Sequence, residues 1–237
     1  MSGIVVVTFD LDNTLWDVDE VIRNAERVTR QWFDAHAPVV YRTFGPDDFQ
    51  RMRREAVQED ARLAHDVSNL RREVFRRAIA GAGYGDAEAS RLAQAAFDVF
   101  LHERHRVQLF DDTIEMLELL ATRFRLGALT NGNADVARIG LDRYFEFAYS
   151  AAAVGASKPH PAMFRAALAR AGVAPNAMVH VGDHPVDDIR GAAALGIHTI
   201  WINRKDVEYP DDAPPTRAVR ALVEVPDGIE EIAAQIA

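Results

Sequence analysis

A short apolar stretch near the start of the chain ends abruptly in acidic residues. Ile4 to Val7 is a run of β-branched residues without helical periodicity, the pattern of a strand buried on both faces. Asp10 and Asp12 follow it, at the edge where open parallel sheets bind ligands. Two carboxylates held close together need a cation, a shared proton or a reaction to offset their repulsion. The stretch predicts a functional acidic site or, alternatively, an acidic turn that includes Asn13.

The overall charge of the chain argues against nucleic acid as a main partner. The formal net charge is −9, whereas phosphate backbones call for a basic surface. No apolar run approaches the roughly 18 residues of a membrane span, and no secretory signal precedes the first strand. The chain has no cysteine, which excludes disulfide and thiolate chemistry. We therefore expect a cytoplasmic protein that binds neither membranes nor nucleic acid.

Residues 17–108 have helical periodicity. Arginines and acidic residues alternate there with apolar residues at the spacing of helix turns. This pattern predicts four helices, over about 19–36, from about 46, over about 67–81 and over about 86–103.

From about residue 111 the pattern changes to alternating strands and helices. Predicted strands cover 125–130, 147–150, 178–181 and 198–202, with an edge strand over 221–225. Predicted helices cover 113–122, 134–140, 161–171, 189–195 and 228–236, and a polar loop covers 206–216. Such alternation implies an α/β fold with a parallel sheet and helices on both faces. We predict one core from residues 1–16 and 109–237, interrupted by a helical insertion over 17–108.

Polar residues follow several of these predicted strands. Because the carboxyl ends of parallel strands share one edge, Asp10, Asp12, Thr130 and Asp183 can converge. An aspartate can attack phosphorus, Mg²⁺ takes carboxylate and phosphate oxygens as ligands, and hydroxyl and ammonium groups can bind phosphoryl oxygens. Lys158, in the loop before a predicted helix, is the candidate ammonium group.

The scarcity of lysine gives Lys158 added weight. Of the 27 basic residues only Lys158 and Lys205 are lysines, and a compact ammonium differs in shape from a guanidinium. The alternative explanation for a lysine at this position is sequence drift. His180, in the middle of a predicted strand, is interpreted as a core histidine rather than a ligand.

Four segments resemble, in order, the four motifs of the haloacid dehalogenase-like (HAD) hydrolase superfamily. They are the strings FDLDNT, LTNG, SKP and VGDHPVDDIRGA, at residues 9–14, 129–132, 157–159 and 181–192. The resemblance covers nearly the whole chain, because the helical block matches the cap that this superfamily inserts after its first motif. It implies a Rossmann-like parallel-sheet core with an inserted, mobile, all-helical cap domain.

The resemblance also implies a role for each motif residue. Asp10 would be the nucleophile and Asp12 the general acid/base, while Mg²⁺ would be held by Asp10, the Asp12 carbonyl and Asp183. The phosphoryl group would be bound by Thr130, Asn131 and Lys158. The second acid of the fourth motif is either Asp187 or Asp188, and alignment on the string DIRGA favours Asp188, in a supporting position behind the metal ligands.

The presence of Asp12 favours a phosphatase within this superfamily. An acid there can protonate a leaving oxygen and then activate water, whereas the dehalogenase branch needs no such acid and resembles the pattern less well. More narrowly, the strings LDNTLWD, TNGN, YFEF and WIN, at residues 11–17, 130–133, 144–147 and 201–203, resemble those of bacterial phosphatases that act on flavin mononucleotide and on 5-amino-6-(5-phospho-D-ribitylamino)uracil. We therefore expect an enzyme that hydrolyses a small phosphorylated metabolite. The alternatives are a sugar-phosphate mutase, which keeps both aspartates, and a non-catalytic phosphate-binding module.

Overall fold

The computed structural model describes residues 3–210 and 214–236. The chain forms two compact units. An α/β unit contains Met1–Asp17 and Gln108–Ala237, and a helical unit contains Val18–Val107. Residues 211–213, within the predicted polar loop, lie outside the described residues.

The α/β unit is built on a parallel sheet. Within the described residues it has six strands in the order β3-β2-β1-β4-β5-β6, every neighbouring pair being parallel. The strands are β1 (Val6–Phe9), β2 (Arg125–Thr130), β3 (Phe147–Ser150), β4 (Met178–Gly182), β5 (His198–Ile202) and β6 (Arg217–Val219). The predicted α/β fold with a Rossmann-like parallel sheet is confirmed.

Strand β1 lies at the centre of this sheet. It pairs with β2 on one side and with β4 on the other, so that Phe9 lies between Ala128 and Val181. Every residue of β1 is fully buried, as expected for a central strand covered on both faces. The strand begins two residues later than the run predicted from Ile4 to Val7, and Val5 is 41% exposed. The segments that follow β1, β2 and β4 therefore emerge side by side.

The helical unit contains five α-helices in its described residues. They are α1 (Val18–His36), α2 (Val40–Thr43), α3 (Pro46–Glu59), α4 (Val67–Gly81) and α5 (Asp86–Arg104), with a short 3₁₀ turn at Ala61–Ala64. Their inward faces form one apolar core around Phe33, Phe75 and Phe100. No helix in the described ranges is both long and apolar enough to cross a membrane.

The chain leaves and re-enters the α/β unit at neighbouring points. Trp16 and Leu109 form an antiparallel bridge, and the Phe110 amide donates to the Leu15 carbonyl at 3.0 Å. Both pairs lie inside the α/β unit. The helical unit is thus inserted between β1 and β2 without interrupting the sheet.

The remaining helices alternate with the strands. They are α6 (Thr113–Ala121), α7 (Val136–Ile139), α8 (Ala151–Val154), α9 (Ala162–Ala171), α10 (Gly191–Ala193) and α11 (Val225–Ile236). Short 3₁₀ turns cover Pro175–Ala177 and Leu222–Glu224, and a π-helical turn covers Pro185–Arg190.

Several elements differ from the sequence prediction, which did not include the four-residue helices α2 and α8. The edge strand predicted over 221–225 is wrong, because β6 is Arg217–Val219. The Glu224 carboxylate instead accepts from the backbone amides of Arg220 and Ala221, at 3.3 and 3.1 Å, and so stabilises a 3₁₀ turn. The helix predicted from residue 189 begins at Pro185, a residue whose fixed φ suits the first helical position.

Candidate active site

The predicted site residues follow three neighbouring strands. Asp10 comes directly after β1, Thr130 ends β2, and Asp183 comes directly after β4. These strands are adjacent in the sheet, which places all three residues at the same edge. Asp10 and Thr130 are buried, and Asp183 is partly exposed.

Lys158 is bound into this edge by its ammonium group. Its Nζ donates to Asp10 Oδ1 at 2.7 Å, to Asp188 Oδ1 at 2.6 Å and to the Leu129 carbonyl at 2.6 Å. An ammonium has three donors, so each of them has an acceptor. Burial alone would lower the pKa of Lys158, but the charges of Asp10 and Asp188 outweigh it and raise that pKa. Lys158 is therefore charged.

Asp188 is the second carboxylate that binds Lys158. Its side chain is buried, and its Oδ2 accepts from the His184 amide at 3.0 Å. Burial would raise the pKa of Asp188, yet Lys158 and His180 favour the charged form and hold it below its ordinary value. Gly182 makes room for this side chain, because a Cβ at that position would overlap the Asp188 carboxyl group.

The neighbouring acid, Asp187, lies in a different environment. Its amide donates to His184 Nδ1 at 3.0 Å, and its Oδ2 accepts from the Asn131 side chain at 3.2 Å. The His184 side chain thus caps the start of the π-helical turn over Pro185–Arg190. Of the two acids, Asp188 is the one whose carboxylate meets Lys158.

Three carboxylates lie close together at this site, two of them bound to the Lys158 ammonium. Asp10, Asp183 and Asp188 each offer an oxygen, and these oxygens lie within 4.8 Å of one another. Burial raises the pKa of Asp10 well above its ordinary value, and Asp188 and Asp183 add to this, although Lys158 opposes it. Burial and the charge of Asp188 likewise raise the pKa of Asp183 to about 6. A hard cation that takes oxygen ligands fits a cluster with this excess of negative charge.

Asn131 connects the second and third motifs. Its Oδ1 accepts from the Lys158 amide at 2.7 Å, and its Nδ2 donates to the Lys158 carbonyl at 2.9 Å. The side chain thus fixes the backbone that carries Lys158. The hydroxyl of Thr130 accepts from the Gly132 amide at 2.9 Å, within the same loop.

Asp12 lies in the turn after β1, where Asn13 has a positive φ of 62°. Its Oδ1 accepts from the indole Nε1 of Trp16 at 2.9 Å. Trp16 is fully buried, so the indole gives this carboxylate a fixed partner. The hydroxyl of Thr14 donates to Asp10 Oδ2 at 3.3 Å, which connects the same turn to Asp10.

Sequence reasoning missed the part that His180 plays in the cluster. The residue is a fully buried core histidine, as interpreted, but its Nε2 lies 3.3 Å from Asp188 Oδ1 and its Nδ1 lies 2.9 Å from the Thr8 hydroxyl. Burial lowers the pKa of His180, which favours the neutral ring. Thr8 and His180 are register partners on adjacent strands. Two polar residues opposite each other in otherwise apolar strands were the available signal.

Comparisons with known proteins find phosphatases that are similar to this chain. The 5-amino-6-(5-phospho-D-ribitylamino)uracil phosphatase YigB of Escherichia coli is 36% identical over 202 residues, which cover 85% of this chain and 84% of the relative. The phosphoserine phosphatase of Thermus thermophilus is 36% identical over 169 residues, which cover 69% of this chain and 66% of the relative.

A solved structure and a family model also match most of this chain. A structure described as a 2-haloacid dehalogenase from Pseudomonas syringae pv. Tomato superposes with a TM-score of 0.94 at 43% identity, over 96% of this chain and 99% of that one. The sequence model of the haloacid dehalogenase-like hydrolases matches residues 4–196. As its four motifs predicted, this chain belongs to the haloacid dehalogenase-like hydrolase family.

Proposed function

We propose that this protein is a Mg²⁺-dependent phosphomonoesterase that forms an aspartyl-phosphate on Asp10. The observation that carries the proposal is the buried Lys158, bound to Asp10 beside Asp183 and Asp188. This arrangement combines a held carboxylate nucleophile with a cluster of oxygen ligands. The phosphatase names of two relatives support it.

In the first half of the reaction, a carboxylate oxygen of Asp10 attacks the phosphorus of the substrate. The bond from phosphorus to the substrate oxygen breaks, and Asp12 gives a proton to that leaving oxygen. The hydrogen bond from Trp16 orients the Asp12 carboxyl group. A positioned acid of this kind contributes typically about 10²–10⁴-fold to the rate.

In the second half, water attacks the phosphorus of the aspartyl-phosphate. Asp12, now ionised, takes a proton from that water, and the bond between phosphorus and the Asp10 oxygen breaks. Inorganic phosphate leaves and the Asp10 carboxylate is restored. Lys158 keeps its positive charge beside Asp10. It stabilises the ionised nucleophile in the first half and the carboxylate that leaves phosphorus in the second.

The metal site of this proposal uses the carboxylates of Asp10 and Asp183 and the carbonyl of Asp12. The supporting acid is Asp188, which binds Lys158 and His180. When bound, Mg²⁺ supplies positive charge that favours ionised carboxylates and offsets the charge of the phosphoryl group. In this proposal the phosphoryl oxygens are bound by Thr130, Asn131 and Lys158. Because the Lys158 ammonium and the Asn131 amide group donate to protein acceptors in this structure, the substrate must displace some of these bonds.

For the substrate we propose a small phosphorylated metabolite, with flavin mononucleotide or a riboflavin-pathway phosphate as the leading candidates. The name of the Escherichia coli relative supports this choice. In the same proposal, the helical unit over Val18–Val107 is the inserted cap domain of the enzyme. A sugar-phosphate mutase would use the same residues but release an isomer instead of phosphate.

A second candidate function is hydrolysis of a carbon–halogen bond, which the description of the Pseudomonas structure favours. Asp10 would then attack carbon, and a halide would leave without needing a proton. That reaction does not need a general acid at Asp12. It also does not need a cation, because no phosphoryl charge has to be offset. Asp12 and the three-carboxylate cluster therefore favour phosphoryl transfer.

Parallel release assays separate these reactions. Phosphate release is measured on flavin mononucleotide, phosphoserine and sugar phosphates, and chloride release on 2-chloropropionate, each with Mg²⁺ and with EDTA. We expect Mg²⁺-dependent phosphate release that is lost in Asp10→Asn, and no chloride release. Chloride release that resists EDTA, with no phosphate from any compound, would overturn the proposal.

A further inference from the structure

Trp201 contacts the backbone of the loop that carries Asp183. It lies in β5, where its register partner is Gly182, and it is only 4% exposed. Its indole Nε1 donates to the Asp183 carbonyl at 2.8 Å. An indole N–H is a donor only and needs a partner when buried. This hydrogen bond therefore couples the edge of β5 to the start of the Asp183 loop.

The peptide group between Asp183 and His184 is held at both ends. Its carbonyl accepts from Trp201, and its amide donates to Asp188 Oδ2 at 3.0 Å. The orientation of this peptide plane determines the backbone direction on either side of it. This fixed plane thus orients the backbone of Asp183 and holds the Asp188 carboxylate next to it.

Tyr209 holds the same loop two residues further on. Its hydroxyl donates to the Pro185 carbonyl at 3.2 Å. Its ring packs edge-on against Trp201, with the centroids 5.0 Å apart and an interplanar angle of 74°. The two aromatic side chains therefore support each other while each binds one carbonyl of the loop.

The segment between β5 and Tyr209 is closed by hydrogen bonds of its own. The side chain of Asn203 donates to the Val207 carbonyl at 2.8 Å and accepts from the Val207 amide at 3.1 Å. These two bonds close a turn directly after β5. Tyr209 thus reaches the loop from a segment with a defined conformation.

We propose that Trp201 and Tyr209 are positioning residues that set the divalent-cation affinity of the carboxylate cluster. The proposal rests on the proposed function, since it concerns the same carboxylates. Neither side chain needs to touch the cation, because each acts through a backbone carbonyl of the segment from Asp183 to Pro185. Partners that orient metal ligands in this way are typically worth roughly 10–100-fold in metal affinity.

Direct cation binding tests the proposal without turnover. The full-length protein is titrated with Mn²⁺, and free Mn²⁺ is measured by electron paramagnetic resonance in the absence of substrate. Trp201→Phe removes the indole donor, and Tyr209→Phe removes only a hydroxyl. The matched controls are Trp32→Phe and Tyr84→Phe, which make the same changes in the helical unit.

We expect the dissociation constant for Mn²⁺ to rise about tenfold or more in Trp201→Phe and by a smaller factor in Tyr209→Phe, with no change in either control. A structural role alone would lower the melting temperature and leave the dissociation constant unchanged. If Trp201→Phe fails to fold, Tyr209→Phe carries the test, because it keeps the ring and the packing.

The outcomes separate this proposal from the proposed function. Wild-type affinity for Mn²⁺ in Tyr209→Phe and in folded Trp201→Phe would overturn the positioning role and leave the phosphatase proposal intact. A wild-type protein that binds no Mn²⁺ at all would overturn both.

Discussion

Among single residues, Asp183 most directly connects the electrostatics of the cluster to a measurable stability. Burial and the charge of Asp188 raise its pKa to about 6 in the folded protein, compared with about 3.9 for an aspartate in an unfolded chain. The folded state therefore binds this proton more tightly than the unfolded state. In the metal-free protein, the stability contributed by this group is fully present below about pH 4 and is lost as the pH rises to about 6.

Asp183→Asn removes this ionisation. We expect it to raise the free energy of unfolding of the metal-free protein by about 1–3 kcal/mol near neutral pH, since one pKa unit corresponds to about 1.4 kcal/mol. Below about pH 4 the variant and wild type should differ little. Urea unfolding in EDTA at both pH values measures the difference. A variant that is less stable than wild type near neutral pH would contradict the predicted charge repulsion.

Several site residues could be predicted because their positions follow from the ends of strands. Asp10, Thr130 and Asp183 follow three apolar runs, and in a parallel sheet such ends share an edge. The bonds of Asn131 to the Lys158 backbone could not be predicted, because they depend on how two loops fold against each other. The residues of each motif can be identified from the sequence, but the groups to which they hydrogen-bond cannot.

At the scale of elements, the end of β4 depends on the absence of a side chain at Gly182. A Cβ there would overlap the carboxyl group of Asp188, so an alanine must move Asp188 away from Lys158. We expect Gly182→Ala to destabilise the protein by about 1–3 kcal/mol, as overpacking typically does, and to weaken cation binding.

Gly3→Ala is the matched control for this change, because a Cβ at Gly3 meets no atom within 4 Å. Unfolding and Mn²⁺ titrations of both variants give the comparison. If Gly182→Ala matched Gly3→Ala in both measurements, the close contact between Gly182 and Asp188 would not constrain the site.

The elements themselves were predictable to different degrees. The helical period of α4 specifies one structure, and α4 lies where the sequence predicts it. The β-branched run at the start of the chain does predict a strand, but β1 begins two residues later, at Val6, and extends to Phe9. The segment over 221–225 is apolar enough for a strand, but hydrogen bonds from Arg220 and Ala221 to the Glu224 side chain favour a turn. Side-chain capping of this kind competes with sheet pairing and leaves little trace in hydrophobic periodicity.

For the whole molecule, cation binding should add to the stability of the folded chain. A ligand that binds only the folded state stabilises it by about 2.7 kcal/mol at a concentration one hundred times its dissociation constant. We expect Mg²⁺ to raise the free energy of unfolding of the wild-type protein accordingly, and to have no such effect on Asp183→Asn. Unfolding curves with Mg²⁺ and with EDTA test this. Equal stabilisation of the variant would place the cation elsewhere.

The most direct test of the account is to detect the phosphoryl group on Asp10. The Asp12→Ala variant lacks both the acid that protonates the leaving oxygen and the base that activates water. It is therefore mixed with Mg²⁺ and p-nitrophenyl phosphate, whose leaving group needs no proton, and it should accumulate the intermediate. After acid quench and proteolysis, mass spectrometry should find phosphate on the peptide that contains Asp10, and none in a variant that also carries Asp10→Asn. Phosphate on another residue, or none while the wild-type protein releases phosphate, would contradict the assignment of Asp10 as the nucleophile.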